Sequence, residues 1–181
     1  MIAFLSIGLA ASLVLLAAII WSIALPDRRL WPPKTSSLWS KLIVWALTLV
    51  IFGSAITLGL ADWNGLQWPW FIRWGVGLLL IISGNFVVWW GVAQIGMRAT
   101  SGDATGLRTD GLYRYSRNPQ YVADMAILIG WIILSASVWV LPVAAIGVLL
   151  LAIVPLAEEK WLEEMYGENY RVYRSKTRRY L

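Results

Sequence analysis

The sequence predicts an all-α integral membrane protein with about five transmembrane helices, organised as a single domain over residues 1–181. Hydrophobic residues make up 59% of the chain and charged residues only 14%. A water-soluble domain of this size could not bury so much apolar surface, so lipid must cover part of it. The apolar residues also fall into five stretches of roughly the length that crosses a bilayer.

The first three stretches cover residues 2–25, 42–60 and 71–95. The first carries no charge and no basic segment precedes it, which favours a membrane span over a cleaved signal peptide. A turn with the sequence Pro-Asp-Arg-Arg at 26–29 ends it. The loop at 61–70 contains three tryptophans, which we expect to anchor it at the membrane interface.

The third stretch carries small residues on one helical face. Gly77, Gly84 and Gly91 follow each other at intervals of seven residues, which predicts close packing against a neighbouring helix. Asn85 lies beside this face, and we expect it to form a hydrogen bond to another helix rather than to line a cavity.

The last two stretches, residues 120–136 and 138–156, are separated by a very short link. Such a link predicts a tight antiparallel hairpin. The remaining residues, 157–181, are charged and aromatic, and we expect an amphipathic helix on the cytoplasmic surface. Residues 1–95 thus form three spans, and residues 96–181 form the half that carries most of the polar residues.

Five spans place nearly all of the basic residues on one side of the membrane. That side receives 14 of the 15 Lys and Arg residues: Arg28, Arg29, Lys34, Lys41, Arg98, Arg108, Arg114, Arg117, Lys160, Arg171, Arg174, Lys176, Arg178 and Arg179. Only Arg73 falls at the opposite side. Because cytoplasmic loops are enriched in Lys and Arg, we expect a cytoplasmic C-terminus and an N-terminus outside.

The composition excludes several kinds of chemistry. The chain has no cysteine and no histidine, so it has no disulfide, no thiolate nucleophile, no imidazole base and no zinc site of the Cys/His type. The net charge of +5 is explained by the cytoplasmic bias of basic residues, and we expect no nucleic-acid partner. Catalysis must depend on other side chains or on a bound cofactor.

A polar run with the sequence Gly-Leu-Tyr-Arg-Tyr-Ser-Arg-Asn-Pro-Gln-Tyr at 111–121 leads into the fourth span. Pro119 suits the first position of a helix, and Asn118 before it is a natural N-cap. The capped helix start alone does not account for the arginines and tyrosines around it. A helix N-terminus of this kind suits a carboxylate or a phosphate.

Asp124 lies about one helical turn inside the fourth span. An ionisable group at that depth costs several kcal/mol unless it is paired or hydrated. Asp124 is therefore either a functional carboxylate or the partner of Arg117 or another interfacial arginine in an ion pair, and the sequence favours neither interpretation. Gln120, Asp124 and Trp131 share one helical face, which could line a cavity.

Glu158 and Glu159 follow the fifth span directly. Carboxylates at that depth are unfavourable next to an anionic leaflet, so a cationic or polyhydroxyl ligand is a good partner for them. Glu159, Glu163 and Tyr166 share a helical face, which Tyr170 and Tyr173 extend if Gly167 does not break the helix. A solvated amphipathic helix is the simpler alternative.

These segments, in this order, resemble the integral-membrane methyltransferases, namely the isoprenylcysteine carboxyl methyltransferase and phosphatidylethanolamine N-methyltransferase families. The resemblance covers residues 96–181 and rests on the run at 111–121, the hairpin with Gly130, the glutamate pair, and Tyr-Gly-Glu-Asn-Tyr-Arg-Val-Tyr at 166–173. Asn118 before Pro119 is similar to the phospholipid enzymes, whereas prenylcysteine enzymes usually have histidine there.

The resemblance implies S-adenosyl-L-methionine as the cofactor, bound at the cytoplasmic side, and a lipophilic acceptor that arrives through the bilayer. Together with the aromatic and polar residues around the matched positions, it leads us to expect a cofactor site formed by these residues: Tyr115, Asn118, Pro119, Gln120, Tyr121, Gly130, Glu158, Glu159 and Tyr170. A phospholipid amine is the favoured acceptor and a prenylcysteine carboxylate the next. Asp124, which matches no position of either family, or a water is the candidate base for an amine. Arg114 or Arg117 is the candidate cation for a carboxylate acceptor.

Two other functions are compatible with the sequence. A membrane reductase of the sterol type would use NADPH, although such enzymes usually have about twice as many spans. A small membrane scaffold or assembly protein would bind no cofactor. The multi-pass topology fits a bacterial inner membrane or an endomembrane equally well.

Overall fold

The computed structural model describes residues 1–33, 38–101 and 105–181, so Lys34 of the first basic loop lies outside the described residues. Across the described ranges the chain forms α-helices joined by short loops and no named β-strand. The helices are α1 (Ile2–Ala24), α2 (Leu38–Ala61), α3 (Leu78–Thr100), α4 (Pro119–Ser135) and α5 (Val140–Lys176). The predicted all-α class is therefore confirmed.

Within residues 1–33, 38–101 and 105–181, four helical segments are long and apolar enough to cross a membrane: α1, α2, α5, and the segment Ile72–Thr100, in which a π-helical turn leads into α3. Helix α4 has only 17 residues, about 25 Å of helix against a hydrocarbon core of about 30 Å. The loop at 61–70 covers the C-terminal end of α4. There Asn64 N–H donates to the carbonyl of Ser135 at 2.7 Å and Leu66 N–H to that of Ala136 at 2.8 Å.

Arg73 also closes this end of the bundle. Its side chain is buried, its Nε donates to the carbonyl of Leu134 at 2.9 Å, and its guanidinium lies 4.7 Å from the ring centre of Trp63. Trp63 in turn packs against Trp74 and Trp131. The tryptophan-rich loop thus binds the end of α4, in addition to the interfacial position that its composition predicts.

The fourth and fifth helices form the predicted tight hairpin, with Ala136 in the left-handed conformation at the end of α4. The predicted boundary at residue 156 is wrong, because α5 continues without interruption through both glutamates. Its helical geometry breaks at Gly167, where φ is +53° and ψ is −126°. The tail is therefore an extension of the last span, bent at a glycine.

Helix α3 packs closely against α4, as its glycine face predicts. A Cβ added at Gly84 would lie 2.7 Å from the carbonyl oxygen of Ala123, and one at Gly77 would lie 2.7 Å from the amide nitrogen of Leu134. Asn85 does not form the expected interhelical bond, because its Nδ2 donates to the carbonyl of Ile81 in its own helix. The glycines, not the amide, allow the close approach.

The basic segments converge at one end of the bundle, here called the basic end. Trp31 of the first loop contacts Glu158 of α5, and Trp45 of α2 lies 3.4 Å from the Ser101 hydroxyl after α3. Gln120 at the start of α4 also reaches Thr100 at the end of α3. The structure thus gathers the first loop, the third loop and the tail at one end, as the charge distribution predicts.

Helices α2 and α3 stand apart. Across the described part of the chain, α2 packs against α1, α4 and α5, and α3 packs against α4, while α2 and α3 are not a closely packed pair. Leu49 of α2 and Trp89 of α3 face a common space and are both more than half exposed. The bundle therefore has a slot between these two helices.

Candidate functional site

A cavity of about 490 Å³ lies between the helices and extends to the basic end. Its wall near the loops is polar and includes Arg108, Arg117 and Tyr170. Its wall toward the middle of the bundle is apolar, with residues such as Ile19, Phe52 and Leu150. The volume is in the range of ordinary ligand pockets, and its two unlike ends suit a ligand pair with one polar and one apolar member.

Glu158 projects from α5 into this cavity. Its Oε1 accepts hydrogen bonds from the Tyr121 hydroxyl at 2.5 Å and from Trp31 Nε1 at 2.8 Å. Its Oε2 has no hydrogen bond from any residue in the described ranges, so one carboxylate oxygen stays available to a ligand. Two fixed donors hold the carboxylate in place while it keeps this free acceptor.

Asp124 lies one turn further along α4 than Gln120 and lines the same cavity. The alternative interpretation, an ion pair with Arg117, does not apply among the described residues, since Arg117 pairs with Glu159. Within the described ranges, Asp124 has neither a hydrogen bond nor an ion pair. Trp131, which we expect on the same helical face, does not line the cavity. Its Nε1 donates to the carbonyl of Ala55 on α2.

Arg117 lies at the polar wall with its side chain only 9% exposed. Its Nη1 lies 3.1 Å from Oε1 of Glu159 and 3.4 Å from the Tyr170 hydroxyl. Its Nε is buried and has no partner in the described part of the chain. The guanidinium is therefore only partly satisfied by the protein, which fits an arginine that holds an anionic ligand group.

Glu159 has a different position from Glu158. It does not line the cavity, and its two oxygens accept hydrogen bonds from Arg179 Nε at 2.7 Å and Nη2 at 2.9 Å. Consecutive residues on a helix point about 100° apart, and here Glu158 and Glu159 project in different directions from α5. Of the two glutamates that we predict to contact the cofactor, Glu158 lines the cavity and Glu159 does not.

The start of α4 differs from the prediction in its details. Asn118 occupies the N-cap position, but its side chain makes no capping bond and donates to the carbonyl of Arg179 at 2.9 Å. Asn118 and Gln120 line the cavity, whereas Pro119 is buried beside it. Tyr115 is 73% exposed and does not line the cavity, so its predicted contact with the cofactor has no geometric support.

Gly130 is also remote from the cavity. A Cβ at this position would lie 2.7 Å from the carbonyl oxygen of Gly77, which places Gly130 in the tight contact between α4 and the helix before it. The expected cofactor contact at Gly130 is not supported by this position. The residue instead allows two helix backbones to approach.

A group of buried tyrosines closes the polar wall. Tyr113, Tyr170 and Tyr173 pack together, and the Tyr173 hydroxyl donates to the carbonyl of Tyr113 at 2.6 Å. Burial raises the pKa of Tyr113, and Tyr173 and Glu158 nearby raise it further. Its phenol therefore stays neutral. The Tyr166 hydroxyl accepts a hydrogen bond from Gly106 N–H at 3.0 Å, which ties the loop around Gly106 to α5.

Sequence reasoning missed two residues of the site. Trp31 holds Glu158 although it is 127 positions away in the chain, and Arg179 holds Glu159 from the C-terminal segment. Nothing in the sequence around Trp31 indicates a contact with Glu158, apart from its position in a proline-containing loop. Arg179 was counted only as one of several basic residues in the tail.

Comparison with known families gives a match to the phospholipid methyltransferase family over residues 72–169. The matched segment is just over half of the 181 residues and includes α3, α4 and most of α5. Comparison with curated proteins and with solved structures gives no match.

Proposed function

Because the chain belongs to the phospholipid methyltransferase family, we propose that it transfers a methyl group from S-adenosyl-L-methionine to a lipid-borne amine. One observation supports this assignment most directly. One cavity is lined by Arg117, Glu158 and Asp124, and it continues into an apolar space between helices. Among the described residues, the arginine is only partly satisfied, the glutamate has one oxygen without a partner and the aspartate has no partner. The family match favours this function over a nicotinamide-dependent reductase or a scaffold.

The charges of the polar wall fit the cofactor's amino acid part, which is zwitterionic. Arg117 would hold its carboxylate, because the guanidinium is nearly buried and only partly bonded. Glu158 would hold the ammonium or the ribose hydroxyls through its free Oε2. Tyr121 and Tyr170 line the same wall and offer aromatic faces, which favour a sulfonium or an adenine ring.

S-adenosyl-L-methionine supplies an activated methyl group together with its own leaving group. The protein's contribution is then to align the acceptor nitrogen, to exclude water and to remove a proton. No histidine is needed for these tasks. The tyrosines and tryptophans around the cavity exclude water from the polar wall.

Asp124 is the proposed base. Its carboxylate lines the cavity without a partner among the described residues, at the depth where the wall changes from polar to apolar. A protonated amine is attracted to it and gives up one proton to a carboxylate oxygen, which leaves the nitrogen lone pair free. The same charge repels a carboxylate acceptor, which disfavours prenylcysteine.

The acceptor's acyl chains would reach the cavity through the slot between α2 and α3. The cavity volume of about 490 Å³ suits one drug-sized ligand and cannot also enclose two long acyl chains. With the head group at Asp124, the chains can extend past Leu49 and Trp89 into the bilayer. The basic end would face the cytoplasm of a bacterial inner membrane or an endomembrane.

The test uses the purified chain in nanodiscs with S-adenosyl-L-methionine labelled on its methyl group. Nanodiscs containing phosphatidylethanolamine are expected to incorporate label into lipid, whereas nanodiscs of phosphatidylcholine alone are not. Asp124→Asn should lower the rate by about 100-fold, the usual scale of general base catalysis. Asp27→Asn, the same change at an exposed carboxylate outside the cavity, should leave the rate unchanged. Absence of label in every lipid and extract tested would reject the assignment.

Binding is measured separately, because it does not depend on the acceptor. At a ligand concentration of a hundred times its dissociation constant, S-adenosyl-L-methionine should stabilise the protein by about 2.7 kcal/mol. NADPH should give no stabilisation. The opposite pattern would favour the reductase alternative.

A further inference from the structure

The last residues of the chain form a strap across the start of α4. Arg117 N–H donates to the carbonyl of Arg178 at 2.9 Å, and Ser116 and Arg178 form an isolated parallel bridge. Asn118 Nδ2 donates to the carbonyl of Arg179, and the Tyr180 hydroxyl donates to the carbonyl of Ala152 on α5. Most of these contacts use main-chain atoms, so they fix the strap whatever side chain residue 179 carries.

The strap brings a second guanidinium to Glu159. Arg179 binds this carboxylate through two hydrogen bonds at 2.7 and 2.9 Å, while Arg117 contacts it through Nη1 at 3.1 Å. Glu159 and Arg117 are both about nine-tenths buried as side chains, with 10% and 9% exposed. Two cations share one anion, so the three side chains carry a net charge of +1.

Arg179 is 37% exposed and partly solvated, whereas Arg117 is nearly buried. A buried guanidinium that shares its only carboxylate with a second cation is unfavourable unless an anion compensates it. Arg179 bonds to both oxygens of Glu159, whereas Arg117 reaches only Oε1, through Nη1 alone. Arg117 therefore keeps unsatisfied donors, among them the buried Nε. Because Arg117 also lines the cavity, these donors are available to a ligand there.

We infer that Arg179 is a positioning residue: it engages Glu159 so that Arg117 keeps donors available to bind the carboxylate of the cofactor. This inference rests on the proposed function. Arg179 does not line the cavity and acts only through Glu159. Without it, Glu159 would pair with Arg117 in full and the local charge would fall to zero.

The experiment compares S-adenosyl-L-methionine with its decarboxylated form by calorimetry. The parent protein should bind the complete cofactor at least about tenfold more tightly, the scale of a hydrogen-bonded charge pair. Arg179→Gln should weaken binding of the complete cofactor by about tenfold and reduce the difference between the two ligands. Arg178→Gln removes a neighbouring guanidinium of the same strap, which donates to the carbonyl of Leu181 and to no other described residue, and this variant should behave like the parent.

A second substitution separates positioning from support of the fold. In the double variant Arg179→Gln, Glu159→Gln, no carboxylate competes for Arg117 and the charge of +1 returns. Affinity for the complete cofactor should then recover to within about threefold of the parent, a tolerance set by ordinary non-additivity. A purely structural role for Arg179 would make the double variant worse than the single one.

Three results would overturn the inference: equal affinities in Arg179→Gln and the parent, no recovery in the double variant, or no preference of the parent for the carboxylate. A parent protein that binds neither ligand would instead reject the proposed function. The two failures are therefore distinguishable in one series of titrations.

Discussion

The Tyr121 hydroxyl donates a hydrogen bond of 2.5 Å to Oε1 of Glu158. This contact joins the start of α4 to α5 across the top of the cavity, and Trp31 adds a second donor to the same oxygen at 2.8 Å. Both side chains of the pair lie on the cavity wall. The bond thus determines where the free carboxylate oxygen of Glu158 points.

Tyr121→Phe tests this relationship. The variant keeps the ring but removes the donor, so Glu158 loses one of two fixed bonds and its orientation. A hydrogen bond to a charged group contributes about 1.5–3 kcal/mol, and we expect affinity for S-adenosyl-L-methionine to fall at least about tenfold. Calorimetry on the nanodisc-embedded protein measures this. Tyr115→Phe, at the exposed tyrosine nearby, is the matched control, and an equal loss in both variants would contradict the prediction.

Gly84→Ala should destabilise the bundle. The added Cβ would lie 2.7 Å from the carbonyl oxygen of Ala123, so α3 and α4 must move apart. Overpacking of this kind typically costs about 1–3 kcal/mol. Gly53→Ala is the control, because a Cβ there meets no atom within 4 Å. Thermal unfolding in detergent should show a lower midpoint for Gly84→Ala only; equal midpoints would argue against the tight contact.

Arg73→Ala should lower stability without changing cofactor affinity. The arginine donates to Leu134 and packs over Trp63 at the end of the bundle opposite the cavity's polar wall. Loss of a buried charge-assisted bond leaves a carbonyl unpaired, at a cost of about 1.5–3 kcal/mol. Arg28→Ala, at an exposed arginine, supplies the comparison. Thermal unfolding and calorimetry on the same samples check both halves of the prediction.

The orientation is testable because the chain contains no cysteine. Tyr115→Cys places a thiol at an exposed position of the basic end, and Leu66→Cys places one in the loop at the opposite end. In sealed inside-out vesicles, a membrane-impermeant maleimide should label Tyr115→Cys and spare Leu66→Cys. Right-side-out vesicles should give the reverse. Labelling of Leu66→Cys from the cytoplasmic side would contradict the orientation derived from the basic residues.

The sequence predicted the helices well because their signals are local. An uninterrupted apolar stretch must form a helix in lipid to satisfy its backbone, and Pro119 or Gly167 marks a boundary by its own conformational limits. The glycine face of α3 likewise predicted its close packing, since nothing larger fits there.

The site was harder to predict because its determinants are not local. Trp31 and Arg179 contact the two glutamates from opposite ends of the chain, and no spacing rule connects them. That Glu158 and Glu159 point in different directions follows from helix geometry, so this much is predictable from the sequence. Which of the two faces the cavity depends on the packing of α5 against its neighbours, which sequence alone does not determine.

The slot between α2 and α3 has a kinetic consequence. A lipid whose tails remain in hydrocarbon is encountered by diffusion in two dimensions, so the rate should depend on its mole fraction in the membrane and not on its bulk molarity. Diluting the nanodisc lipid with an inert phospholipid should therefore slow turnover, whereas adding more nanodiscs of fixed composition should not change the apparent saturation point. A partly methylated product can also re-enter without crossing water, which would favour several methyl transfers before the lipid diffuses away.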